Sequence, residues 1–96
     1  MPGYWLARSK VSDPEQYKKY TDQVPAIFAK YGAKVLARGG RFQVMEGPKK
    51  FERFVVTEFP TFEQATACFN SDEYQKAAAH RRSGAGEVEI VIVEAL

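Results

Sequence analysis

The sequence predicts an α+β fold, an antiparallel sheet with helices on one face, from three observations. Arg53-Phe54-Val55-Val56-Thr57-Glu58-Phe59-Pro60 is a run of β-branched and aromatic residues closed by a proline, which makes it a strand. Tyr17, Tyr20, Val24, Ile27, Phe28 and Tyr31 recur at three- and four-residue spacing, the mark of one apolar helical face. Val88 to Val93 is a second β-branched run, separated from the first by another helical stretch.

Each element follows in order. Tyr4 to Val11 alternates loosely and forms the first strand, with Tyr4 and Leu6 opposite Trp5 and Ala7. Ser12-Asp13-Pro14-Glu15-Gln16 starts a helix: Asp13 caps free backbone N–H groups, Pro14 fits the first helical position and Gln16 stands where a capping box needs it. Pro25 falls inside this helix and is expected to kink it, because it lacks the donor for the preceding turn. Gly32 ends it as a left-handed cap.

Ala33 to Arg38 is a second strand, turned by Gly39-Gly40, and Arg41 to Glu46 is expected to continue as a short strand. Gly47-Pro48-Lys49-Lys50 is a loop before the central strand. There Phe54, Val56 and Glu58 share one face and Val55, Thr57 and Phe59 the other. Thr61 caps a helix with Gln64 three places on; Phe62, Ala65 and Phe69 form its buried side. Asn70-Ser71-Asp72-Glu73 interrupts and restarts it, with Ser71 as cap and acids in the first turn, where the helix dipole favours them. Tyr74 to Arg82 is helical, Ser83-Gly84-Ala85-Gly86 is expected to be a flexible linker, and the last strand follows. Without the Arg41–Glu46 arm the order is βαββαβ, and the helix starts at Ser12–Tyr17 and Ser71–Tyr74 echo each other. This is the pattern of a ferredoxin-like sandwich of two split βαβ units.

Ninety-six residues make one domain, 1–96, with room for a single modest core. A formal charge of +2, with basic residues in separated pairs such as Lys18-Lys19, Lys49-Lys50 and Arg81-Arg82, gives no nucleic-acid stripe. No apolar run approaches the roughly 20 residues of a membrane span. No charged segment followed by an apolar block opens the chain, so no leader is expected and the cytoplasm is the expected compartment. Cys68 is the single cysteine, without a disulfide partner or metal-ligand spacing, and no motif requires a cofactor or metal.

The last strand carries Val88, Ile90 and Ile92 on one face and Val91 and Val93 on the other, and the central strand is equally two-sided. An antiparallel sheet with one wet face reads apolar-in and polar-out. Two such strands left open would expose several hundred Å² of apolar surface, and each side chain buried there contributes roughly 1.5–3 kcal/mol. A second copy of the same sheet, packed by two-fold symmetry, covers it, so a homodimer is expected. RNA binding through the sheet, as in other ferredoxin-like domains, is disfavoured because the same face is then buried.

The segments Arg53–Pro60, Ala65-Thr66-Ala67-Cys68-Phe69-Asn70-Ser71-Asp72-Glu73-Tyr74-Gln75 and Glu89-Ile90-Val91-Ile92-Val93-Glu94 resemble the bacterial family named domain of unknown function 1330. That family pairs an E-F-P strand end with an N-S-x-E-Y turn, an arginine a helical turn or two later, and a similar final strand. Arg81 matches the arginine, whereas His80 stands where the family is usually apolar. The resemblance implies a dimeric α/β-barrel of ferredoxin-like subunits packed sheet to sheet, and no particular reaction. Similar folds host cofactor-free monooxygenases, isomerases and haem enzymes.

Arg81 is the first candidate site residue: its guanidinium would hold a carboxylate or enolate bidentately, or else pair with Glu73 on the helix surface. Glu58 is a general base if burial beside Phe54 and Val56 raises its pKa, or a structural partner of Arg38 or Arg8. His80, the only histidine, transfers protons or simply caps the helix C-terminus. Tyr17, Tyr20, Tyr31 and Tyr74, with Trp5, are core or interface residues, and hydroxyls among them that face a cavity would orient a ligand, with Arg38 beside them. Cys68 is a buried inert thiol, and Gly39-Gly40 is a turn and not a phosphate loop. Two functions stay open. One is an enzyme or ligand binder for a small acidic or aromatic compound, of cofactor-free oxygenase or isomerase type. The other is a non-catalytic dimeric module that binds a metabolite or supports an assembly.

Overall fold

A computed structural model describes all residues, 1–96. The chain runs β1 (Gly3–Val11), α1 (Pro14–Thr21), α2 (Val24–Lys30), β2 (Lys34–Arg38), β3 (Arg53–Phe59), α3 (Phe62–Asn70), α4 (Asp72–Arg82) and β4 (Gly86–Glu94). The strands form one antiparallel sheet in the order β2-β3-β1-β4, the ferredoxin-like βαββαβ arrangement with each of its two helices broken in two.

The local chemistry explains the boundaries. Asp13 accepts from the Gln16 N–H, Thr61 from the Gln64 N–H and Ser71 from the Tyr74 N–H, so all three expected caps form. The capping-box glutamines do not reach back: Gln16 hydrogen-bonds Ser83 and Gln64 the carbonyl of Tyr31. Gly32 takes a φ of 72° just past α2.

Three expectations need correction. Pro25 does not kink a continuous helix. The chain breaks at Asp22-Gln23, and Pro25 lies in the first turn of α2, where a missing N–H costs nothing. Arg41–Glu46 is not a strand: it pairs with no neighbour and is held by side chains, Phe42 lying 4.8 Å from the ring of Phe54. Farther along that arm Phe51 is buried, with the Arg8 guanidinium 4.3 Å from its ring centre. Nor is Ser83–Gly86 a loose linker, because the Ala85 carbonyl accepts from the N–H groups of both Ser12 and Asp13 and so pins the start of α1 to the start of β4.

The helices cover one sheet face. Trp5 anchors the core there, against Phe28, Phe59, Phe69 and Tyr74, with Ala65, Ala77 and Ala78 letting α3 and α4 approach closely. Gly3 carries the same closeness to the sheet end, where α3 begins directly above it. Val88, Ile90 and Ile92 of β4 pack against this core, while Leu6, Val91 and Val93 face the other way and are exposed. Val56, Leu6 and Val91 stand side by side across three strands on that open face.

Candidate functional site

The core is incomplete at one end. Along β1 the helix-facing residues shrink from Trp5 to Ala7 to Ser9, and beneath α1 and α2 this leaves a cavity of about 330 Å³. That volume is near the lower end of the range, about 300–1,000 Å³, in which proteins hold small molecules. Trp5, Phe28 and Val55 supply an apolar wall, Tyr17 and Tyr20 project from α1, and Thr57 and Ser9 contribute hydroxyls from the sheet. Thr57 is fully buried and its hydroxyl has no hydrogen-bond partner in the chain.

Two arginines, Arg38 at the end of β2 and Arg53 at the start of β3, complete the lining. Arg38 pairs with Val55, two residues beyond Arg53, so both side chains rise from the helix-facing side of adjacent strands. Neither takes part in an ion pair; the four in the chain are Arg8–Glu89, Lys18–Asp22, Lys30–Glu73 and Lys50–Glu87. No Asp, Glu, His or Lys lines the cavity.

Behind Tyr20 lies a buried polar cluster. The Tyr20 and Tyr74 hydroxyls are 2.7 Å apart, and Arg81 Nη2 donates to the Tyr74 hydroxyl at 3.1 Å. The Arg81 guanidinium also lies 5.0 Å from the centre of the Tyr20 ring. Arg81 is only 6% exposed and its Nε has no partner. Burial alone would lower its pKa, but the Tyr74 and Tyr20 hydroxyls outweigh that and raise it, so the charge stays. For Tyr20, burial first and Tyr74 second push the hydroxyl well above its ordinary value, against the opposing pull of Arg81.

The structure thus brings Tyr17, Tyr20 and Arg38 to the cavity and sets Tyr74 and Arg81 one layer behind it. Arg81 makes no bond to Glu73, which is taken by Lys30, and its other side borders an open groove between α4 and β4. Glu58 lies on the opposite face of β3, between Tyr4 and Lys34, and pairs with neither Arg8 nor Arg38. His80 is half-buried in the last turn of α4, away from the cavity. Arg81 and Glu58 therefore do not converge on one site. Sequence reasoning misses Arg53, Thr57 and Ser9. Their signal is the alternation itself, which sets a charged and two small polar residues on the same face as Trp5 and Val55.

The chain belongs to the family described as Domain of unknown function (DUF1330), whose model matches residues 2–96. Among solved structures it is similar to a protein of unknown function from Rhodopseudomonas palustris, at 19% identity over 99% of this chain and 82% of that one, with a TM-score of 0.74. It is also similar to a dimeric ferredoxin-like protein of unknown function from Jannaschia sp. CCS1, at 10% identity over 99% and 100% of the two chains, TM-score 0.76. A third similar structure is SnoaB, a cofactor-independent oxygenase from Streptomyces nogalater, at 12% identity over 99% and 93%, TM-score 0.68. No curated protein matches the chain in sequence. At these identities the likeness shows the fold. Within the chain, no helix is long and apolar enough to cross a membrane.

Proposed function

We propose that this chain is the subunit of a homodimer that binds a small acidic aromatic molecule between its sheet and α1–α2. One observation carries the reading: the cavity has an aromatic wall, yet it is bordered by two unpaired arginines and by no carboxylate. A ring system fits between Trp5, Phe28 and Tyr17, and an anionic substituent meets Arg38 and Arg53, whose planar guanidinium groups match a carboxylate. The dimer rests on the apolar row of half-buried Val56 and exposed Leu6 and Val91 on the open sheet face, and the Jannaschia protein of the same fold is dimeric. A cytoplasmic setting fits the lone buried thiol of Cys68.

Trp5 is the only tryptophan and lines the cavity, so its fluorescence reports occupancy. Titration with 2-naphthoate and with the neutral 2-naphthalenemethanol should quench it saturably, more tightly for the anion. The preference should vanish in an Arg38→Ala, Arg53→Ala double variant. No saturable change with either compound overturns the reading.

A second reading, a cofactor-free oxygenase or isomerase, draws on the fold shared with SnoaB. With no Asp, Glu, His or Lys on the cavity wall, such chemistry needs a substrate that ionises by itself and is held as its anion by the arginines. Glu58 and His80 lie too far round the fold to serve as its base without rearrangement. Enzyme-dependent oxygen uptake with an electron-rich hydroxynaphthoate is the discriminating measurement; its absence, with binding intact, leaves the non-catalytic binder.

A further inference from the structure

The cluster behind the cavity has a direction that follows from counting its protons. Arg81 has only donors, so the Tyr74 oxygen accepts from it. Tyr74 is fully buried, and its own hydrogen has one acceptor within reach, the oxygen of Tyr20. The reverse orientation would strand the hydrogen of the fully buried Tyr74, whereas this one leaves free only that of Tyr20, which lines the cavity, and this selects it. The Tyr20 oxygen is thereby an acceptor on its inner side, and its hydrogen has no acceptor in the chain. Tyr20 is the only member of the cluster that lines the cavity.

Resting on the binding reading above, we infer that Arg81, Tyr74 and Tyr20 form a one-way hydrogen-bond chain that presents the Tyr20 hydroxyl to an acceptor oxygen of the bound ring compound. Arg81 is then a positioning residue: it never touches the ligand, yet its positive charge polarises the two hydroxyls in series and strengthens the terminal donor. The class of ligand narrows accordingly. Besides the anionic group that meets Arg38 and Arg53, the molecule carries a phenolate, enolate or carbonyl oxygen on its ring system. The more negative that oxygen, the tighter it is held.

The probe is 6-hydroxy-2-naphthoate compared with 2-naphthoate, which lacks the second oxygen. Trp5 fluorescence gives affinity, and naphthol absorbance gives the ionisation of the bound hydroxyl. The hydroxy compound should bind about tenfold more tightly at a pH where its hydroxyl is ionised, the worth of one charge-assisted hydrogen bond. Its naphthol should titrate at lower pH when bound than when free. Tyr20→Phe should erase both effects, so that the two naphthoates bind that variant with equal affinity. Tyr74→Phe, which keeps the Tyr20 hydroxyl but cuts it off from Arg81, should weaken both effects while circular dichroism shows the fold retained. Arg81→Gln should do the same where it folds, and the two phenylalanine variants decide the matter where it does not. Equal affinity for the two naphthoates, or a bound naphthol indifferent to Tyr20→Phe or to Tyr74→Phe, overturns the chain. Failure of 2-naphthoate itself to bind overturns the underlying pocket instead.

Discussion

Gly3 and Phe62 meet so closely that no side chain fits between them: a Cβ on Gly3 would stand 2.7 Å from the Phe62 Cα and 2.8 Å from its nitrogen. Both partners are backbone, so the neighbour cannot swing aside. This contact brings the first turn of α3 down onto the end of the sheet, where Gly3 pairs with Phe59 and Glu94. Gly3→Ala should therefore destabilise the protein by about 1–3 kcal/mol, the usual cost of overpacking. Melting temperature should fall by about 4–8 °C per kcal/mol for a domain of this size. Gly40→Ala, where nothing lies within 4 Å, is the control and should be close to neutral. An unchanged Gly3→Ala melting temperature would show that α3 slides freely on the sheet.

Most of the frame was legible because it is written in local chemistry. Asp13, Thr61 and Ser71 cap helices that their own neighbours need, and the alternation in β3 and β4 needs no partner to be seen. The arm at Arg41–Glu46 misleads because alternation is necessary for a strand and not sufficient: Phe42 packs its ring at a tilt against Phe54, and no ladder forms. The break before Pro25 is hidden because the apolar spacing from Tyr20 to Val24 continues across it. The site was the least legible part. Tyr20 and Tyr74 are 54 positions apart and meet only through the packing of α1 on α4. Arg53 looks like the edge of a strand until β2 brings Arg38 beside it.

Two buried acids set the alkaline limit. Burial, with a smaller push from Glu73, raises the Cys68 thiol from 9.0 to about 12, and burial raises the Tyr20 hydroxyl above its ordinary 10.0. A folded pKa above the unfolded one means the stabilisation is complete below the unfolded value and is lost as pH rises through the folded value. From pH 9 upward the unfolded chain releases the Cys68 proton that the folded chain retains, at about 1.4 kcal/mol of stability per pH unit. Tyr20 adds a second proton above pH 10. Urea unfolding should show a decline that begins near pH 9, and Cys68→Ala should decline less steeply between pH 9 and 10. Parallel curves for the two proteins would remove the thiol as the cause.

Thr57 separates stability from binding. Its buried hydroxyl has no partner, so Thr57→Val, of nearly the same shape, removes an unsatisfied group from the cavity wall. The unliganded protein should gain about 1 kcal/mol. Affinity for 2-naphthoate, which has no group to offer Thr57 beyond its carboxylate, should change little, while ligands with a second oxygen near β3 should lose affinity. A destabilised Thr57→Val protein would mean that the hydroxyl is satisfied in the empty cavity.

The open sheet face decides the assembly. Val56, Leu6 and Val91 form one apolar row across β3, β1 and β4; Leu6 is 40% and Val91 61% exposed in the isolated chain. The arm adds Phe42 and Met45 beside it, also exposed. In a two-fold dimer each side chain is buried twice, once in each subunit, and each burial contributes roughly 1.5–3 kcal/mol. Leu6→Glu would set two carboxylates near the middle of such an interface, each flanked across the strands by the apolar Val56 and Val91. Sedimentation at micromolar concentration should give twice 10.8 kDa for the wild type and 10.8 kDa for Leu6→Glu, with the helical content of both the same. Since Leu6 points away from the cavity, the monomeric variant should still bind 2-naphthoate, which would separate assembly from the pocket. A wild-type protein that sediments as 10.8 kDa would leave this apolar row facing water, and the dimer would fall with it.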